Sequence, residues 1–426
     1  MTQLPNHDLR YALSNELHAR PFPSLATPCT AVFLAIKQPE GAAARDLGVD
    51  LAHLIDLLDR YGTPHPQPGA THFSGRIGRH ELKWESHTEF VTYTVFSDHL
   101  SSRAFDPVDF EIFPEDWLAS APGVCVSSIH VRVAAMPDKG DAVQALEDWF
   151  VPESLAVSHV LDKAALVAGD FRIDPAGHTR FAVFVGPETG QRRIGRVVQR
   201  LCEIETYKSL SMLGFARAKE LGPPMTEMDA QLTRLMQHMG DEAQPADATL
   251  SGLISTSAQL ERMVAINAFR FGATGAYETI VNQRIDVLRE ERFEGRQTFG
   301  EFMLRRFDPA MRTVKSTQAQ LAALADRAMR AGELLRTRVD VERSGQNQKL
   351  LESMDRRADQ QLKLQRTVEG LSVVAISYYA VSLAAYLSYP MAHALNISKG
   401  ELTAALVVPV IATVWLGLRR IQKSLH

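Results

Sequence analysis

The sequence predicts an α+β domain, a mixed sheet with helices, followed by a long helical stalk and a two-helix transmembrane hairpin. Three observations predict it. Strand-like runs of β-branched and aromatic residues crowd the first 190 residues, the pattern from about residue 191 is helical, and two uncharged apolar runs stand near the carboxyl end. The chain has 426 residues, 45% hydrophobic and 23% charged, so wholesale disorder is excluded. Its net charge of -4 argues against nucleic acid as a partner. Cys29, Cys125 and Cys202 are far apart and form no CxxC pair, which argues against a disulfide framework and a cysteine zinc site and suits a reducing compartment.

The elements follow in order. Residues 1–20 carry no secretory signal, since their longest apolar run is Tyr11 to Leu13, so the amino-terminal bulk is expected to stay on the side of synthesis. Residues 29–37 read as a strand. Residues 46–61 read as a helix with Leu47, Leu51, Leu54, Ile55 and Leu58 on one face. Antiparallel strands are expected near 70–77, 79–87 and 88–97, another at 124–135, a short helix at 141–150, and a hairpin from 164–173 and 179–186. These make a cytosolic α/β domain over residues 1–190. Beyond it come helices at 191–220, 225–240 and 249–293, then a run from Ala310 to Tyr389 without proline, with Gly345 as the candidate break. Residues 191–369 form the stalk region.

Residues 370–391 are 22 uncharged positions, roughly 33 Å of helix, enough for a bilayer core of about 30 Å. Pro390 is expected to end this first span. Residues 402–418 form the second span. Arg356, Arg357, Lys363 and Arg366 precede the pair, and Arg419, Arg420 and Lys423 follow it. The positive-inside rule then puts both termini in the cytoplasm, the link 392–401 in the periplasm, and the basic tail 419–426 inside. The expected location is a bacterial inner (cytoplasmic) membrane, with the lipid bilayer as a partner.

A heptad seam crosses from stalk to span: Leu351, Met354, Ala358, Gln361, Gln365, Val368, Ser372, Ala375, Tyr379, Ser382, Tyr386 and Tyr389. Hydroxyls in hydrocarbon are costly, so this face should meet protein or water rather than lipid. It predicts a homo-oligomer. Ser372, Tyr379, Ser382 and Tyr386 are candidates for helix packing or pore lining, with Glu369 at the inner mouth.

The segments NELHARPFPSL (Asn15 to Leu25), LKWESHTEF (Leu82 to Phe90), QRLCEIETYK (Gln199 to Lys208) and Asp355 to Tyr379 resemble a bacterial family of uncharacterised membrane-anchored proteins, a domain of unknown function. The resemblance spans essentially the whole chain and implies no known activity. The layout alone is similar to CorA-type magnesium channels, which implies a pentamer with the first span lining the pore. Those channels carry Gly-Met-Asn at the end of that span. Here the place reads Tyr389-Pro390-Met391-Ala392.

Enzyme signals are weak, and no enzymatic activity is expected. Six of the fourteen histidines fall between His53 and His99. On a strand through 80–90, Glu85, His87 and Glu89 would alternate onto one face, either a solvated or hydrogen-bonded structural face or a divalent-cation site, with Glu16 and His18 as further candidates in the amino-terminal segment. No cofactor beyond such a cation is expected. The turn 186–190 opens a helix but lacks the Gly-Lys ending of a P-loop. Arg192, Arg196 and Arg200 make a stripe that Glu203 and Glu205 would partly neutralise. The expected function is therefore a membrane-anchored oligomer with a cytosolic regulatory domain and CorA-like ion passage. The alternative is a membrane-tethered scaffold or sensor without transport.

Overall fold

A computed structural model describes residues 4, 6–16, 22–39, 41–239, 246–394 and 398–425. His18 lies outside them, as do residues 395–397 of the expected link. In chain order the elements are α1 (Arg10–Glu16), β1 (Cys29–Lys37), α2 (Leu47–Arg60), β2 (His72–Ile77), β3 (His80–Ser86), β4 (Phe90–Ser97), α3 (Glu115–Ala119), β5 (Val124–Ala135), α4 (Lys139–Trp149), β6 (Ala156–Val160), β7 (Ala165–Ile173), β8 (Thr179–Val185), α5 (Gln191–His238), α6 (Ala246–Asp286), β9 (Glu291–Arg292), α7 (Phe299–Arg306), α8 (Asp308–Ala394) and α9 (Lys399–Leu425). Short 3-10 turns sit at Ala42–Ala44 and Pro107–Phe110.

The chain divides into two units. The first holds Met1–Glu242 and Ser251–Ala331, the second Ala243–Leu250 and Gly332–His426. In the first, one nine-stranded sheet runs β2-β3-β4-β1-β5-β8-β7-β6-β9. All its pairings are antiparallel except β5 with β8. The period-2 alternation of each strand puts alternate side chains on opposite faces. On one face, Val32, Leu34, Ile36, Tyr93 and Trp84 pack with Leu54, Leu57 and Leu58 of α2 and Trp117 of α3. Farther along that face, Leu166, Ala168, Ala182 and Phe184 pack with Ala142 and Leu146 of α4. Between these clusters β5 carries polar groups. His130 Nε2 lies 3.0 Å from Asp109, and Ser128 Oγ lies 2.6 Å from His178 Nδ1. The opposite face is covered by α5, which packs on β1, β5 and β8.

Several expectations change. The buried face of α2 is Asp50, His53, Leu54, Leu57 and Leu58, while Leu47, on the first turn, is half exposed. β6 and β9 were not expected; β6 is five residues long and β9 two, too short for a periodic signal. The helix expected to stop before Pro223 and Pro224 continues through them. Both prolines are exposed, so the carbonyls of Lys219 and Glu220 that lose their donors face water, and buried Leu221 and Met225 hold the turn from either side. α8 likewise runs unbroken through Gly345 and Pro390. α5, most of α6, α7 and the start of α8 cluster with the sheet in the first unit.

Among the described residues, two helices are long and apolar enough to cross a membrane, the one reaching Met391 and the one over Lys399–Arg420. Only 6% and 0% of their apolar windows are buried, which is not the environment of a soluble core helix. In the first, Ser377 is buried and Val373, Ala380, Val381, Ser382, Ala384, Ala385 and Ser388 are partly so, a stripe of mostly small residues. In the second, partial burial recurs at Leu402, Leu406, Val410, Val414 and Leu418.

Candidate ligand pocket

The α5 face of the sheet alternates inward as strictly as the other, but it does not close completely. Registered rows run across it. Lys83 of β3 stands beside Thr94 of β4 and Phe33 of β1, Glu85 beside Thr92, and Glu81 beside Phe96. Each row passes from a charged residue on β3 to an aromatic or small one nearer the centre. Above them α5 presents Val198 and Gln199, Cys202 and Glu203, then Thr206 and Tyr207, one pair per turn. Between helix and sheet lies a cavity of about 300 Å³. Phe22 and Pro23 border it, and Arg284 of α6 reaches it.

The entry of Phe22 and Pro23 depends on a glycine. Leu25 N–H donates to the Gln191 carbonyl, bringing this segment across the first turns of α5. A Cβ on Gly195 would fall on the carbonyl of Pro23, so only glycine admits the crossing.

The polar wall is one continuous chain. Lys83 Nζ lies 3.2 Å from Glu85 Oε2 and donates to Gln199 Oε1 at 3.1 Å. Gln199 Nε2 donates to Glu203 Oε1 at 2.7 Å, and Arg284 Nε donates to the other oxygen of Glu203. Two ion pairs are thus bridged by one amide. Burial pushes the Cys202 thiol well above its usual range, so it is an inert wall residue. Thr206 is 2% exposed, and among the described residues its hydroxyl has no hydrogen-bond partner.

Beside the pocket, Glu89 is fully buried. Arg270 Nη1 and Nη2 donate to it at 3.1 and 2.5 Å, the Tyr277 hydroxyl donates at 2.6 Å, and Lys37 Nζ lies 3.7 Å away. Burial opposes the charged carboxylate, but Arg270, Tyr277 and Lys37 outweigh it and hold the group below the usual range. Burial and the neighbouring Glu89 raise the Tyr277 hydroxyl. Phe90 links this cluster to the pocket, with His87 stacked on it at 4.3 Å and Tyr207 edge-on at 5.9 Å.

The expected cation site takes a different form. β3 ends at Ser86 and β4 begins at Phe90, so residues 87–89 are a turn and Glu85, His87 and Glu89 do not alternate along one strand. Glu85 and His87 both line the pocket, whereas Glu89 turns into its own buried cluster. Among the described residues, no group of three or more His, Cys, Asp or Glu side chains is arranged to hold a metal. Glu203 and Glu205 pair with Arg284 and Lys208 rather than with the arginine stripe. In the second unit, Ser372, Tyr379 and Tyr386 are exposed and Ser382 is half-buried, and the Ser372 hydroxyl donates to the Val368 carbonyl at 2.8 Å. Glu369 accepts from Gln365 Nε2 at 3.1 Å.

Sequence reasoning passed over Gln199, Thr206 and Arg284. The first two had a signal: polar residues recur at 199, 203 and 206 within an otherwise apolar stripe of α5. Arg284 had none, because it comes from a separate helix. Three of the four segments that carry the family resemblance, around Phe22, Lys83 to Phe90 and Gln199 to Tyr207, meet at this pocket. No curated protein matches the chain. A family model described as "Protein of unknown function (DUF3422)" matches residues 5–425, and the chain therefore belongs to that family.

Proposed function

We propose that the chain is a non-enzymatic, membrane-tethered sensor, in which the α+β unit binds a small molecule beneath α5 and the two carboxyl-terminal helices are the anchor. The observation that carries this reading is the Thr206 hydroxyl, buried and unpaired on the wall of a cavity with aromatic and charged sides. A buried hydroxyl without a partner costs about 1–3 kcal/mol, and a ligand in the cavity relieves that. The volume lies at the small-ligand end of binding pockets. The arginine flanks support an inner-membrane hairpin with both termini cytoplasmic, and the exposed seam supports a homo-oligomer.

The test is a thermal-shift screen of small polar and aromatic compounds on the full chain in detergent, with Thr206→Val beside the wild type. The variant keeps the shape and removes the hydroxyl. Its unliganded form should be as stable as the wild type or about 1 kcal/mol more stable, and its response to binding compounds should shrink. Compounds that stabilise neither protein, or both equally, count against the reading.

A second reading, CorA-like ion passage, draws on the exposure of Ser372, Tyr379 and Tyr386, which an oligomer would gather around an axis. Flux of Mg²⁺, Co²⁺, K⁺ or Cl⁻ into liposomes, abolished by Tyr379→Phe with Ser382→Val, would favour it. Absence of flux leaves the sensor.

A further inference from the structure

The side chains of the pocket are sorted by exposure. Phe33, Phe90, Phe96, Cys202 and Thr206 are at most 7% exposed. The charged side chains are more open: Lys83 and Glu85 are 11% and 12% exposed, Glu203 and Arg284 21% and 37%. The cavity therefore has an aromatic floor and a charged mouth, and the mouth holds two cations and two carboxylates already paired with each other.

That pairing selects the ligand. A singly charged ligand entering the mouth would take one partner from an existing pair and leave the other charge uncovered, which is expensive where water is scarce. A zwitterion inserts into one of the two pairs, its ammonium facing that pair's carboxylate and its carboxylate that pair's cation, and so leaves nothing uncovered. Its ammonium and carboxylate meet either Glu85 and Lys83 or Glu203 and Arg284. Ion pairs made to Lys83 or Arg284 are charge-assisted and stronger than neutral contacts. The aromatic floor takes a flat apolar group with edge-on or stacked contacts, and Thr206 supplies a hydroxyl beside it.

We propose that the pocket takes a small zwitterion carrying an apolar ring, the chemistry of an aromatic α-amino acid; this rests on the reading of the cavity as a ligand site. The experiment is titration calorimetry on the full chain in detergent with L-phenylalanine, N-acetyl-L-phenylalanine, which lacks the ammonium charge, and L-phenylalaninamide, which lacks the carboxylate. L-phenylalanine should bind, and each blocked form should bind at least tenfold more weakly. Glu203→Gln and Lys83→Met should each weaken the zwitterion by several-fold. Glu203 is partly open and Lys83→Met keeps the buried aliphatic stem, so these variants should fold, and circular dichroism checks that they do. Blocked forms that bind as well as L-phenylalanine overturn the proposal, as does L-phenylalanine binding unaltered in both variants. No binding by any of the three probes also overturns it. The cavity reading is then judged separately, by whether other compounds in the thermal-shift screen distinguish wild type from Thr206→Val.

Discussion

Glu89 is the residue whose surroundings constrain it most. It is fully buried with Arg270, Tyr277 and Lys37 around it, and two of these partners come from a helix about 180 residues away in sequence. Removing one member of a buried ion cluster leaves the rest uncompensated. Glu89→Gln should therefore lower the stability of the α+β unit by about 3–5 kcal/mol in chemical denaturation. His178 behaves differently. It stacks on Phe110 at 3.6 Å and meets Ser128, and burial pushes its imidazole down to about 4 from an ordinary 6.5. The folded state thus refuses a proton that the unfolded chain accepts below pH 6.5. Its contribution to stability is complete above pH 6.5, falls as pH drops toward about 4, and is level below that. Denaturant midpoints measured across this window should fall less steeply for His178→Asn than for the wild type. Neither role is written in the local sequence. Glu89 and His178 stand beside polar neighbours in the sequence, and only the pairing of distant elements buries them.

At the scale of elements, α5 and α6 form the frame that places Arg270, Tyr277 and Arg284. Their approach is set at Gly214, where an added Cβ would fall on the side chain of Thr274. The Thr274 hydroxyl is tied to the Arg270 carbonyl at 2.8 Å, so it has little room to move. Gly214→Ala should gain helix propensity yet lose stability by about 1–3 kcal/mol through overpacking. Adding Thr274→Ala should recover part of that loss, and a double-mutant cycle measures the coupling. Elements with strong periodicity were legible: residues 29–37 and 124–135 form strands with the expected bounds, and the hairpin ending in β8 pairs as expected. The two-residue β9, the parallel pairing of β5 with β8, and the passage of α5 through Pro223 and Pro224 were not. Each of these is decided by contacts across the sheet or by solvent at the helix back, which a local pattern does not record. Of the pocket, Glu85 and His87 were legible as chemistry-bearing residues, but the register that sets Glu85 against Thr92 and beside Lys83 was not.

At the scale of the whole molecule, the seam residues Leu351, Met354, Val368, Tyr379 and Tyr386 are all more than half exposed in the single chain. Exposed apolar side chains at heptad spacing call for a partner. On the proposed assembly, Met354→Asp with Val368→Asp should reduce the oligomer to a monomer by light scattering in detergent, without changing ligand response in the α+β unit. Native mass spectrometry of the full chain in lipid nanodiscs reads the membrane anchor and the ligand site together. The protein is equilibrated with a small-molecule extract of the cells that made it. The expected spectrum is an assembly of 47.2 kDa chains, each carrying one added small mass that is reduced or lost in Thr206→Val. A protein that fails to enter nanodiscs, or enters as bare single chains in wild type and variant alike, would contradict a membrane-tethered sensor.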